Sequence, residues 1–236
     1  EYVYKFVSKA LWDAKDVGGG MAVGAKYLDQ GTLYVAKFNA DGQGEWLELT
    51  HGKNGLDTAN SKYPFSSQAD VLIYARLAAD SLGATKMDRP EWVSVSPVTG
   101  EVYLTLTNNR ASERPAKYAL DAANPRNYDH NGDGKADGNP NGHVVRWKEK
   151  DGKHTAATFQ WDVYVFGSAF NNSAANLSGL TASNDMSSPD GLLFDGRGLL
   201  CIQTDDGAYT NTTNCMMLAA LPGSVGDGTA VTIGDV

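Results

Sequence analysis

Two stretches of this chain, PEWVSVSPVTGEVYLTLTNN (90–109) and PDGLLFDGRGLLCIQTDD (189–206), follow one plan. Each runs proline, acid, strand, a turn closing on glycine, a second strand and a polar pair. Pro90-Glu91 aligns with Pro189-Asp190, Gly100 with Gly198, and Asn108-Asn109 with Asp205-Asp206. A repeated multi-strand unit restricts the fold sharply, because such units bury their faces by stacking as blades of a β-propeller. In a propeller, equivalent strand starts from different blades converge on the central channel. Glu91 and Asp190 are therefore expected to face one site.

The rest of the chain agrees with a mainly β fold. YVYKFVS (2–8) alternates, and GTLYVAKFNADGQGEWLEL (31–49) reads as two strands around a turn at Asn39–Gly44. GHVVRW (142–147) and TFQWDVYVFG (158–167) read as a strand pair, while 50–66, 110–143 and 168–188 read as loops. One helix is expected near residues 67–83, with Val71, Leu72, Tyr74, Ala75, Ala78, Ala79 and Leu82 on its apolar face. Ser67 is placed to cap its start and Gly83 to stop it. With 236 residues the chain can bury a substantial core. A single domain over 1–236 is expected, a partial propeller with an incomplete set of blades, carrying an inserted segment at 125–142.

Charge and composition exclude several functions. Lys+Arg 20 against Asp+Glu 28 gives a net charge of −8, which suits a cation-holding protein and not a nucleic-acid surface. No run approaches the ~20 apolar residues of a membrane span, so no transmembrane segment is expected. No signal pattern and no initiator Met open the sequence, and EYVYKF begins in mid-strand, as a piece of a longer chain would. The four histidines form no zinc motif, and neither a nucleophile elbow nor a phosphate loop is present. Cys201 and Cys215 permit one disulfide bridge, but Cys201 inside LLCIQ reads better as a small buried apolar residue.

DHNGDGKAD (129–137) carries the ligand ladder of a calcium loop. Asp129, Asn131 and Asp133 occupy positions one, three and five, Gly134 makes the tight turn, Lys135 offers its carbonyl, and Asp137 sits at position nine. Position twelve is Pro140 and no helices flank the loop, so it is not an EF-hand. The two readings are a calcium ion pinning a surface insertion and a polar turn without an ion.

TKMDRPEW (85–92) concentrates charge at the mouth of a strand. Asp88, Arg89 and Glu91 either form a solvated turn, with Arg89 and Glu91 as a weak surface ion pair, or hold something charged. Pro90 disfavours helical geometry in the residue before it, so Arg89 and Glu91 are expected on an extended segment. Asp88 is placed to orient Arg89, and Asn108, Asn109, Asp205 and Asp206 close the paired strands.

At DRPEW the chain resembles the PhoX-type alkaline phosphatases, calcium- and iron-dependent bacterial enzymes. GTLYVAKFNADGQGEW, LTLTNN, ANPR followed by GHVVRW, and SPDGLLFDGRGLLCIQTDD extend the resemblance in family order over most of 22–210. The resemblance implies a β-propeller with metals at its central channel, a phosphomonoester substrate, product phosphate, and a periplasmic or secreted location. It implies catalytic roles for Arg89, Glu91 and Asp190: Glu91 and Asp190 as calcium ligands from two blades, and Arg89 as the phosphate contact through its fork of donors. The family's Trp-Gly-Thr-Trp-Leu-Thr-Cys-Glu-Glu stretch, whose cysteine and acids help hold iron, has no counterpart here. The chain thus looks like the C-terminal portion, expected not to turn over substrate alone, with iron ligands largely outside it. The YDHNGDGKADG insertion is a second departure. Rival readings are a calcium-dependent lactonase- or esterase-like propeller and a non-enzymatic binding propeller. Oligomeric state is not legible.

Overall fold

The computed structural model describes residues 1–208, 214–227 and 232–235. The first half of the chain forms β1 (Tyr4–Ser8), α1 (Met21–Leu28), β2 (Gly31–Phe38), β3 (Gln43–Glu48), α2 (Gln68–Ile73) and α3 (Ala75–Leu82). Then come β4 (Pro90–Val95), β5 (Val102–Leu106), β6 (Asn109–Arg110), β7 (Gly138–Asn139), β8 (His143–Glu149) and β9 (Thr158–Phe166). The last strands are β10 (Pro189–Phe194), β11 (Leu200–Thr204), β12 (Met217–Leu221) and β13 (Thr232–Asp235). Two compact units result: Tyr2–Lys37 with Glu45–Thr85, and Glu1 and Phe38–Gly44 with Lys86–Val236.

In the smaller unit β1 pairs antiparallel with β2, from Tyr4↔Val35 to Ser8↔Gly31. Val35, Leu49, Leu56, Phe65, Val71, Ala78 and Ala79 make its core. The Ser67 hydroxyl accepts from Asp70 N at 3.2 Å, satisfying one of the free amides at the start of α2. Gly83, at φ +68°, ends α3 in the left-handed conformation that suits glycine. The single helix expected from the sequence is in fact two. Tyr74 leaves helical geometry (φ −102°, ψ 38°), its ring resting on Tyr63 with centroids 4.4 Å apart. The break re-aims the turn before it, so Leu72 and Ile73 face outward while Val71, Ala78 and Ala79 are buried. Helix α1 buries no residue, and without an apolar stripe it left no periodic signal to read.

The larger unit holds two antiparallel meanders. In one, β4, β5, β8 and β9 lie side by side, each paired with its neighbour. In the other, β10, β11, β12 and β13 do the same. Tyr103, Val144, Tyr164 and Val165 from the first pack on Leu192, Phe194, Leu200, Ile202 and Leu218 from the second. Tyr103 sits edge-on to both Tyr164 and Phe194, with centroids 5.1 Å apart in each case, the geometry ring quadrupoles favour. Four-stranded meanders stacked face to face are propeller blades. The fold is mainly β and a partial propeller, as the repeat implied. Both cysteines carry free thiols.

The repeat is real in three dimensions, and more detailed than its sequence. Pro90 pairs with Leu106 and Pro189 with Thr204, and each register breaks immediately afterwards, before Val93 and before Leu192. Thr107 N donates to Arg89 O at 3.1 Å, as Asp205 N donates to Ser188 O at 2.9 Å. This register corrects the sequence alignment by one residue: Asp205 matches Thr107, and Asp206 matches Asn108. Composition alone could not resolve the shift, because both strands end in a run of polar residues.

A buried polar cluster joins the 86–91 segment to β8. His143 is fully buried; its Nε2 lies 2.7 Å from Ala123 O, and its Nδ1 lies 2.9 Å from Asn139 Nδ2. A carbonyl only accepts, so Nε2 carries the proton and Nδ1 accepts, the pattern of a neutral ring. Burial first, and Arg126 second, depress its pKa to about 3. Below the ordinary 6.5 the unfolded chain binds a proton that the native chain refuses. The stability His143 contributes is therefore complete above that value and falls with pH toward the depressed one, by up to about 1.4 kcal/mol per pH unit. Urea unfolding of His143→Gln between pH 6.5 and 4 should show a flatter decline than wild type; identical slopes would exclude His143 as the source.

Candidate metal and phosphate site

The DRPEW loop is held from below by Asp88, whose side chain has no solvent exposure. Its carboxylate accepts from Asn109 Nδ2 at 2.8 Å and Asn139 Nδ2 at 3.2 Å. Arg114 Nε, itself 1% exposed, approaches Oδ1 to 2.7 Å as an ion pair, too bent to count as a hydrogen bond. Asp88 N donates to Asn124 Oδ1 at 2.8 Å, and Asn124 Nδ2 returns a bond of the same length to Lys86 O. Arg114 also donates to the carbonyls of Lys86 and Ala119. A buried charge is tolerable only when paired and hydrogen-bonded throughout, and Asp88 is.

Arg89 does not adopt the extended geometry expected from the proline that follows it. Its φ is +51°, and Ser188, which precedes Pro189, has φ +56°. Proline excludes the right-handed helical region for its predecessor, and here the strand-crossing bonds to the Arg89 and Ser188 carbonyls hold the left-handed alternative. The turn throws the Arg89 side chain outward, 51% exposed, with Nη1 3.2 Å from Asn108 Oδ1 and Nη2 3.8 Å from Glu91 Oε1. Its guanidinium is thus steered by one amide and one acid, with donors to spare.

Glu91 and Asp190 occupy equivalent bulges at the starts of β4 and β10. Bulges re-aim side chains and recur beside active sites. The Thr105 hydroxyl ties the two together: it accepts from Trp92 N at 2.9 Å and donates to Asp190 O at 2.7 Å. Burial, then the Asp190 carboxylate, push the Glu91 pKa up. Burial, then the Asp205 carboxylate, do the same to Asp190. Arg89 opposes both rises. Mutually repelling carboxylates partly out of water are what a hard cation relieves, and oxygen donors are what calcium prefers. Among the described residues no three His, Cys, Asp or Glu side chains close on one point.

The structure thus brings together Arg89, Glu91 and Asp190. Sequence reasoning treated Asp205 as a strand terminator and passed over Thr105. The signal for Asp205 was its place after an alternating strand in the repeat; a threonine inside VYLTL carries none. In the 129–137 loop the side-chain oxygens turn onto the loop's own amides. Asp129 accepts from the amides of Asn131, Gly132 and Gly134, while Asn131 and Asp133 accept from those of Asp133 and Lys135. Asp137 Oδ2 lies 2.7 Å from His130 Nδ1.

Two blades thus present an acid at equivalent strand starts, with the exposed Arg89 beside them. Comparison with known families is specific: the sequence matches the family described as alkaline phosphatase PhoX over residues 1–235. The chain belongs to that family. Among solved structures, "Pseudomonas fluorescens PhoX in complex with vanadate, a transition state analogue" is similar, at 38% identity and a TM-score of 0.78. That match covers 100% of this chain and 40% of the other, so the chain spans well under half the length of its relative. No curated protein matches.

The Thr105 tie is testable. Thr105→Val keeps the shape but removes the acceptor for Trp92 N and the donor to Asp190 O, so two part-buried backbone groups lose their partner. The expected loss is about 1–3 kcal/mol in urea unfolding. An unchanged midpoint would show that the tie contributes nothing.

Proposed function

We propose that this chain forms part of a metal-dependent phosphomonoesterase and supplies calcium-ligating carboxylates together with a phosphate-binding arginine. The observation that carries the reading is the convergence of Arg89, Glu91 and Asp190 at two equivalent bulges, where the acids repel one another and the guanidinium is presented outward. The vanadate complex of the similar PhoX supports a phosphoryl ligand over a lactone or ester.

Glu91 and Asp190, with Asp205 adjoining, would hold calcium. When bound, calcium supplies positive charge against the equatorial oxygens of a transferring phosphoryl group. The protein's own contribution is orientation and charge. Arg89 offers a planar fork of N–H donors to phosphate oxygens. Asn108 and Glu91 set the direction of that fork, and Asp88 beneath fixes the backbone from which it projects. The family's cysteine-and-acid stretch has no counterpart here, and among the described residues neither free cysteine joins a cluster of three His, Cys, Asp or Glu, so the residues present do not fit iron. Turnover is accordingly assigned to a longer protein of which this chain is one part, periplasmic or secreted as its family resemblance implies. Among the described residues no helix is long and apolar enough to cross a membrane.

The 129–137 loop is proposed as a second, structural calcium site, with Asp129, Asn131, Asp133 and the Lys135 carbonyl as ligands. Asp137 would act through water, as position nine often does, which leaves its contact with His130 in place.

Two measurements test these assignments. In the longer parent chain, p-nitrophenyl phosphate hydrolysis should require calcium, stop with a chelator, and fall at least about 100-fold in Glu91→Gln. Calcium-dependent turnover untouched by the substitution would remove Glu91 from the site. Calorimetric titration of this chain with calcium should resolve two sites, one lost in Asp129→Ala and the other in Glu91→Gln; a single site lost only in Glu91→Gln would make the loop an ordinary polar turn.

A further inference from the structure

Arg89 does not face open solvent alone. It lines a cavity of about 440 Å³ whose wall also includes Asn108, Arg110, His130, Asp137 and Ser188. The placement follows from the chain. Asn108, which receives Arg89 Nη1, stands two residues before Arg110, and β6 pairs with β7 through Asn109↔Asn139 and Arg110↔Gly138. In extended backbone, residues two apart share a side, about 7 Å from one another. Arg110 therefore rises on the side where Asn108 meets Arg89. The carbonyl of Asp137, immediately before β7, accepts from Ala111 N at 3.0 Å, and this brings the inserted loop and His130 to the same wall.

The balance of charge in this cavity is unusual for a protein of net charge −8. Two guanidiniums and an imidazole line it, and its one carboxylate, Asp137, is turned onto His130 at 2.7 Å. Glu113 lies in a smaller adjoining hollow of about 230 Å³ that the two arginines also border. No carboxylate pairs with Arg110 among the described residues. A bare phosphate would fill a fraction of the space.

We propose that the cavity selects phosphomonoesters whose alcohol portion carries a second anionic group, with Arg89 on the phosphate and Arg110, aided by His130, on the second anion. The inference rests on the assignment of Arg89 to phosphate and adds the substrate class. Guanidinium matches carboxylate and phosphate alike through paired N–H donors, so the second group is a carboxylate or another phosphate.

The test uses this chain in calcium buffer and two phosphonates that cannot be hydrolysed. Propylphosphonate and 3-phosphonopropionate differ by a methyl against a carboxylate. Calorimetry should show 3-phosphonopropionate binding about tenfold tighter or more, the gain of one charge-assisted contact. Arg110→Gln should bring it down to the affinity of propylphosphonate, and Arg110→Lys should keep part of the preference. Arg110 is exposed at the end of a two-residue strand, and circular dichroism checks that the variants fold. Equal affinities in wild type, or a preference that survives Arg110→Gln, would overturn the inference and leave the phosphate site standing. Failure of both phosphonates to bind would overturn the phosphate assignment of Arg89 and the inference with it. Pyrophosphate in a parallel titration separates the sources: binding tighter than 3-phosphonopropionate favours a second phosphate, and weaker binding favours a carboxylate.

Discussion

The buried carboxylate of Asp88 is the contact on which the site depends. An ionised carboxylate without solvent is costly unless its oxygens are occupied; Asn109, Arg114 and Asn139 occupy those of Asp88, and Asn124 accepts from its backbone amide. Each is thereby fixed relative to the DRPEW loop. Asn109 anchors the strand end that carries Asn108 and Arg110, Asn139 anchors the return of the inserted loop, and Arg114 with Asn124 clamps Lys86 O just upstream. One of these partners reaches further. Asn139 passes a hydrogen bond to neutral His143, which ends on Ala123 O. A side chain that never touches substrate thus sets where several that would do so can stand.

Above this network the chain holds two features that cost free energy. One is a left-handed residue before each proline, Arg89 and Ser188; such conformations persist only where surrounding structure over-determines them. The other is the crowding of Glu91, Asp190 and Asp205, whose mutual repulsion and partial burial raise the first two pKa values. Blade packing offsets both, through Tyr103 and its ring partners and through the Thr105 tie. The same feature recurring in two blades implies that the strain is a property of the repeat, placed where two strand starts present acids to a common point.

Much of this was legible in sequence, for identifiable reasons. Alternation marked β1, the DG turn marked the β2–β3 hairpin, and the proline-acid repeat marked the first hairpin of each blade. Arg89, Glu91 and Asp190 could be named because charge at a strand start, repeated, is uncommon without a purpose. Other features had no local signature. The break at Tyr74 comes from a ring contact with a residue eleven positions earlier. Left-handed Arg89 contradicts the local rule for a residue before proline, and only cross-strand bonds reveal it. Thr105 and Arg114 act through partners remote in sequence, and composition cannot distinguish them from ordinary strand and loop residues.

The glycines of the β7 region show how tightly the site's floor is built. Gly142, at φ +63°, sits so close to the Leu106 and Thr107 carbonyls that a Cβ would fall 2.3 Å and 2.1 Å from them. Gly138, at φ +90°, would place one 2.4 Å from Asn109 O. Both contacts are with rigid backbone, so no side chain can be accommodated by a rotamer change. The approach they permit lets β7 lie against β6 and places Asn139 beneath Asp88, with His130 and Asp137 at the cavity wall. The inserted loop is therefore joined to the site through its backbone and not merely appended at the surface. Its sequence reads as a calcium turn, but its point of attachment makes it a wall of the anion cavity, and an ion that stiffened the turn would stiffen that wall as well.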